Sequence, residues 1–124
     1  MVKYEELIID YYRNPRNKGI IENPDIKEHI SNPVCGDSIT IYMRIKSDII
    51  EEIKFMGNGC AISMAAISMF CEKAEGLFLK DVEKMTEEDI KKMLNIDLSP
   101  SREKCATLGF HIVQKGIFEY NKKP

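Results

Sequence analysis

The chain has 124 residues, 44% of them hydrophobic and 31% charged, and a formal net charge of -2. That length suits one domain, residues 1–124, with a modest core that needs no covalent staples. The charge balance offers no basic face for a nucleic acid partner. No apolar run approaches the ~20 residues that cross a bilayer, so no membrane partner is expected. The opening "MVKYEELIIDYY" mixes acids among its apolar residues, unlike a signal peptide, and a cytoplasmic location is the default.

In chain order, residues 3–13 predict a short amphipathic helix, with Tyr4, Leu7, Ile8 and Tyr11 at helical spacing. Asn14-Pro15 stops it, because a residue before proline is pushed out of the α region. A polar loop follows, with a short strand near 26–31. From Ser38 to Lys46 the pattern alternates: Ile39, Ile41, Met43 and Ile45 face one way, Thr40, Tyr42, Arg44 and Lys46 the other. "KSD" turns the chain and residues 49–56 return as a second strand, with Ile53 and Phe55 inward. "GNG" at 57–59 is expected to break that strand and to lend backbone freedom.

The stretch "CAISMAAISMFCEKAEG" predicts a helix buried on most of its circumference and ended by Gly76. Leu77 to Met85 reads as a short helix or turn. Thr86 N-caps "EEDIKKML", whose acids precede its lysines as the helix dipole prefers. A last helix starts with Ser99 as N-cap and Pro100 at the first helical position, with Phe110, Ile112, Val113 and Ile117 inward. The expected class is α+β: a small antiparallel β-sheet with helices packed on one face.

Four cysteines punctuate this layout, with no CxxC among them. Without an export signal, metal or sulfur chemistry gains weight over disulfides. Cys35 precedes the alternating strand, Cys60 opens the apolar helix and Cys105 lies in the early turns of the last one. Such junctions can gather ligands distant in sequence, and a helix start favours thiolate. Cys71 lies about 16 Å beyond Cys60 along the same helix, too far to share one metal, and reads as a buried structural thiol. On spacing alone the other three could equally be core residues, and Asp37 in "CGDS" a turn residue. His29 and His111 read as solvated or core-edge side chains, and no nucleophile–base–orienter set is visible.

The motifs together resemble the iron–sulfur cluster scaffold family (IscU, SufU and the N-terminal domain of NifU) nearly end to end. "IDYYRNPRNKG" looks like its opening signature, and "NPVCGDSI", "GNGCAISMAAISMF" and "KCATLGF" like its three ligand motifs. The resemblance implies an IscU/NifU-like fold and a ligand set of Cys35, Asp37, Cys60 and Cys105. It implies transient assembly of a 2Fe–2S cluster, with a cysteine desulfurase as sulfur source, an iron donor and acceptor apo-proteins. In that reading the protein is a scaffold rather than an enzyme, with one of Cys35, Cys60 and Cys105 receiving the persulfide and Gly36 curling the loop so that Cys35 and Asp37 face one metal.

Lys104 stands where the IscU branch has a histidine before its third cysteine, which favours Asp37 as the non-sulfur ligand. "LSPSREKC" keeps little of the stretch that an Hsp70-type chaperone reads in that branch, which counts against chaperone-driven release. "CAISMA" and "KCATL" are closer to SufU, although the Cys60–Cys105 segment is short for the SufU insertion. The rival reading is therefore a zinc-dependent sulfur acceptor, because three thiolates and a carboxylate also suit tetrahedral zinc. A further rival, a small adaptor whose cysteines only fill space, predicts that none of them affects metal content.

Overall fold

A computed structural model describes residues 4–32 and 36–122 of the chain. Its elements are α1 (Tyr4–Arg13), β1 (Ile26–Asn32), β2 (Asp37–Lys46), β3 (Ile49–Asn58), α2 (Ala61–Ala74), α3 (Leu79–Glu83), α4 (Glu87–Leu94) and α5 (Pro100–Lys122). The strands form an antiparallel sheet in the order β1-β2-β3. This is the α+β arrangement that the alternation and the helical periodicities predict.

The alternation in β2 has the expected consequence. Ile39, Ile41 and Met43 are buried, as are Ile53 and Phe55 on β3. They meet Ile67 and Phe70 of α2 and Phe110, Val113 and Ile117 of α5 in one cluster. Each such side chain contributes about 1.5–3 kcal/mol on full burial. The β2–β3 register shifts between Arg44 and Ile45, so Arg44 pairs with Glu52 but Ile45 with Ile50. That bulge turns Ile50 inward beside Ile53, although the two stand an odd three positions apart, and period-two reading does not anticipate it.

α1 packs its Ile8 side against Ala65, Ala66 and Ala106. The loop after it is tied to the rest by Ser68, whose hydroxyl accepts from the Arg16 N–H at 2.7 Å and donates to the Arg16 carbonyl at 3.1 Å. It then runs beside β3, with Gly19 N–H donating to Phe55 O and Phe55 N–H to Asn17 O. α4 carries the expected cap: the Thr86 hydroxyl accepts from Asp89 N–H and the Asp89 carboxylate accepts from Thr86 N–H.

The "GNG" segment corrects the sequence reading. β3 continues through Gly57 and Asn58, which pair with Ile39 and Ser38 of β2. The left-handed glycines are Gly19, Gly36 and Gly76, so neither Gly57 nor Gly59 is there for a positive φ. Both are needed for space. A Cβ on Gly57 would lie 2.2 Å from the Ser38 carbonyl oxygen, and one on Gly59 2.5 Å from Asp37 Oδ1 and from Ser63 Oγ. The strand therefore delivers the chain to α2 along a fixed track rather than through a loose joint.

Candidate metal centre

Three elements converge at one end of the sheet. β1 and β2 are joined so that Asn32 pairs with Asp37, and Gly36, with φ 75°, donates its N–H to Asn32 O at 2.8 Å. The expected curl at Gly36 is thus present; Cys35, whose side chain that curl was expected to aim, lies outside the described residues. One step beyond the Ser38–Asn58 pair, β3 runs past Asp37 into α2 with Cys60 as its N-cap. α5 packs on α2 and brings Cys105 alongside from its second turn.

The ligand atoms of Asp37, Cys60 and Cys105 lie within 4.8 Å of one another. Cys71 does not join them: it is fully buried among apolar side chains, and burial pushes its thiol far above the ordinary range. Neither histidine reaches the cluster. His29 Nδ1 lies 2.7 Å from Thr40 Oγ1 on the open face of the sheet, and His111 Nε2 lies 3.1 Å from Glu87 on the surface. Lys104 is exposed on the rim of the cleft over the thiols, with Ser101 and Arg102.

Asp37 is only 1% exposed, which argues against a solvated turn residue. One of its oxygens, Oδ1, accepts the backbone N–H of Cys60 at 3.0 Å. The other, Oδ2, is buried with no hydrogen-bond partner among the described residues. An unpartnered buried carboxylate oxygen costs several kcal/mol of lost hydration, on the order of 1–3 or more, unless a proton or a cation compensates. Beside two thiols, a thiophilic metal supplies that compensation, so the donor set fits one.

The two thiols are not equivalent. Burial opposes ionisation of Cys60, but the Ser63 N–H, 3.4 Å from Sγ, the Ser63 side chain and the Cys105 thiol together hold this thiol below its ordinary value. The Ser63 N–H is the helix-start contribution to that thiolate. Cys105 moves the other way: burial first, then the neighbouring Cys60 sulfur and the Asp37 carboxylate, push it up to about 12. The metal-free pair thus favours a single thiolate, at Cys60. Ser63, itself 1% exposed, is the site residue that motif reading misses, although its place three residues after an N-cap signals a partner for the cap side chain.

Fold and site together define a small α+β protein that gathers thiols and a carboxylate at one end of its sheet. The chain belongs to the family described as NifU-like N terminal domain, which it matches over residues 3–124. It is 35% identical to the zinc-dependent sulfurtransferase SufU of Bacillus subtilis, over 92% of this chain and 88% of that one. It is 36% identical to the iron–sulfur cluster assembly scaffold protein IscU 1 of Archaeoglobus fulgidus, over 97% and 78%. The crystal structure of SufU from Fervidobacterium islandicum, described as an iron–sulfur cluster assembly scaffold protein for the SUF system, superposes with a TM-score of 0.75 at 29% identity, covering 90% of this chain and 94% of that one. The Bacillus alignment runs over 131 positions, more than this chain's 124 residues, so that relative carries positions absent here. The Archaeoglobus alignment runs over 120.

Proposed function

We propose that this protein is a scaffold on which a 2Fe–2S cluster is assembled and from which it is passed to acceptor proteins. The observation that carries the reading is the buried Asp37 with an unpartnered oxygen, its carboxylate within 4.8 Å of the Cys60 and Cys105 thiols. Cys35, from the same connection as Gly36, completes the set. Clusters in electron carriers are usually held by four thiolates, or by cysteine and histidine. A carboxylate is a harder and less covalent ligand for cluster iron, so its corner opens first. A site that builds a cluster and hands it on needs such a corner.

Sulfur arrives as the persulfide of a cysteine desulfurase. A scaffold thiolate attacks the outer sulfur, the desulfurase thiolate leaves, and the transferred sulfur is reduced to sulfide by two electrons from a separate donor. Of the two described site thiols, Cys60 is the better nucleophile, because it is the one stabilised as thiolate. Iron comes from a donor outside this chain, and the protein works in the cytoplasm.

The second reading, a zinc-dependent sulfur acceptor, is favoured by the likeness to the Bacillus relative and by a donor set that also suits zinc. Anaerobic reconstitution with desulfurase, cysteine, a reductant and ferrous iron separates the two. A scaffold gains sulfide and visible charge-transfer absorption, and loses both to an apo-acceptor. A sulfur acceptor stays colourless and keeps stoichiometric zinc.

A further inference from the structure

Gly59 and Gly57 stand two residues apart, yet the space each lacks is of different kinds. The atoms against a Cβ on Gly57 are backbone: Ser38 O at 2.2 Å and Ile39 Cα at 3.1 Å. Those against a Cβ on Gly59 are the ends of two side chains, Asp37 Oδ1 and Ser63 Oγ, each at 2.5 Å, with Asp37 Cγ at 3.0 Å. A methyl at 57 strains the β2–β3 ladder. A methyl at 59 is relieved by moving a carboxyl group and a hydroxyl, which leaves the ladder alone.

That carboxyl group is the one whose Oδ1 accepts the Cys60 N–H while Oδ2 stays unpartnered. The Ser63 hydroxyl is the one that donates to Cys60 O at 3.1 Å and lies 3.6 Å from Cys60 Sγ. We propose that Gly59 is a positioning residue: its bare Cα leaves the seat in which the Cys60 amide clamps one oxygen of Asp37, so that Asp37 meets the metal through the other oxygen only. The clamp links the carboxylate ligand to the backbone of a thiolate ligand. It restricts Asp37 to one-oxygen ligation and keeps the carboxylate near the site once the metal–oxygen bond opens. This rests on the metal-centre reading above, and deepens it by assigning the control of Asp37 to a residue that carries no ligand atom.

The test uses the full chain with Gly59→Ala, Asp37→Ala and the double variant, in two states. In the metal-free protein, amide hydrogen exchange at Cys60 reads the clamp directly. Loss of that hydrogen bond speeds exchange roughly threefold to tenfold in either single variant, and no further in the double. With Co2+ alone as probe, the ligand-field absorption of Gly59→Ala shifts away from wild type, and the double variant matches Asp37→Ala because the two residues act as one unit. A thermal midpoint near wild type for Gly59→Ala, beside a large loss for Gly57→Ala, shows that the fold is not what changed.

Wild-type exchange and a wild-type cobalt spectrum in Gly59→Ala would overturn the clamp while leaving the metal centre standing. Effects of Gly59→Ala and Asp37→Ala that simply add would overturn it too. A wild-type protein that binds no Co2+ through its thiols would overturn the metal centre, and the proposal with it.

Discussion

Helix α2 carries two cysteines of the same intrinsic chemistry, and its start and its last turn make opposite things of them. At the start, Cys60 is the N-cap, half-buried, with the Ser63 N–H directed at its sulfur and Asp37 and Cys105 within ligand reach. In the last turn, Cys71 is enclosed by the apolar cluster, and burial holds its proton on. One helix thus supplies a reactive thiol where its free N–H groups end and an inert one where its side chains pack. The residue type is not the site; the helix position makes it one.

The broadest way to break that comparison is to remove the thiols one at a time. Cys60→Ser and Cys105→Ser should each lose most of the metal retained by anaerobically purified protein. Cys71→Ala should keep wild-type stoichiometry, measured by elemental analysis, while losing about 1 kcal/mol of stability in urea. Metal content insensitive to Cys60 and Cys105 would return all three to the role of core filler.

The two glycines before Cys60 sharpen it next. Gly57→Ala should cost about 3 kcal/mol in denaturant unfolding, since its methyl meets backbone rather than a movable side chain. A cost below about 1 kcal/mol would show that the strand end yields, and that the site is not held on a fixed track.

Thiol reactivity gives a smaller and more discriminating effect. In metal-free native protein, peptide-mapped alkylation should label Cys60 well before Cys105, and Cys71 only on unfolding. The Cys60 rate should rise with pH and level off below the ordinary thiol value of 9.0, because its thiolate is the stabilised form. Cys60→Ser should make Cys105 more reactive, since the neighbouring sulfur is among the causes that raise it. Labelling of Cys105 first would contradict the inequality of the pair.

The elements were legible in the sequence where local pattern and tertiary environment agree. Strand 38–46 alternates because one face meets α2 and α5, and Thr86, Ser99 and Pro100 carry helix-start chemistry whatever surrounds them. "GNG" misleads because glycine has two uses, conformational freedom and lack of a Cβ, and only the register of β3 against β2 shows which applies. Ile50 is inward only because of the bulge beside Ile45, a feature of pairing rather than of either strand. For the site, the thiols at element ends could be read as candidates. The burial of Asp37, its unpartnered oxygen and the part played by Ser63 could not, because each depends on residues brought together from 37, 60 and 63. Cys35 stays an assignment from motif resemblance.

The most direct test of the account compares cluster transfer to an apo-acceptor from wild-type protein and from Asp37→Ala, each loaded anaerobically with desulfurase-derived sulfur and iron. If Asp37 is the corner that opens, the variant folds normally, builds its cluster and passes it to the acceptor at a rate severalfold different from wild type. Equal rates of formation and release would contradict that role and leave Asp37 a buried turn residue.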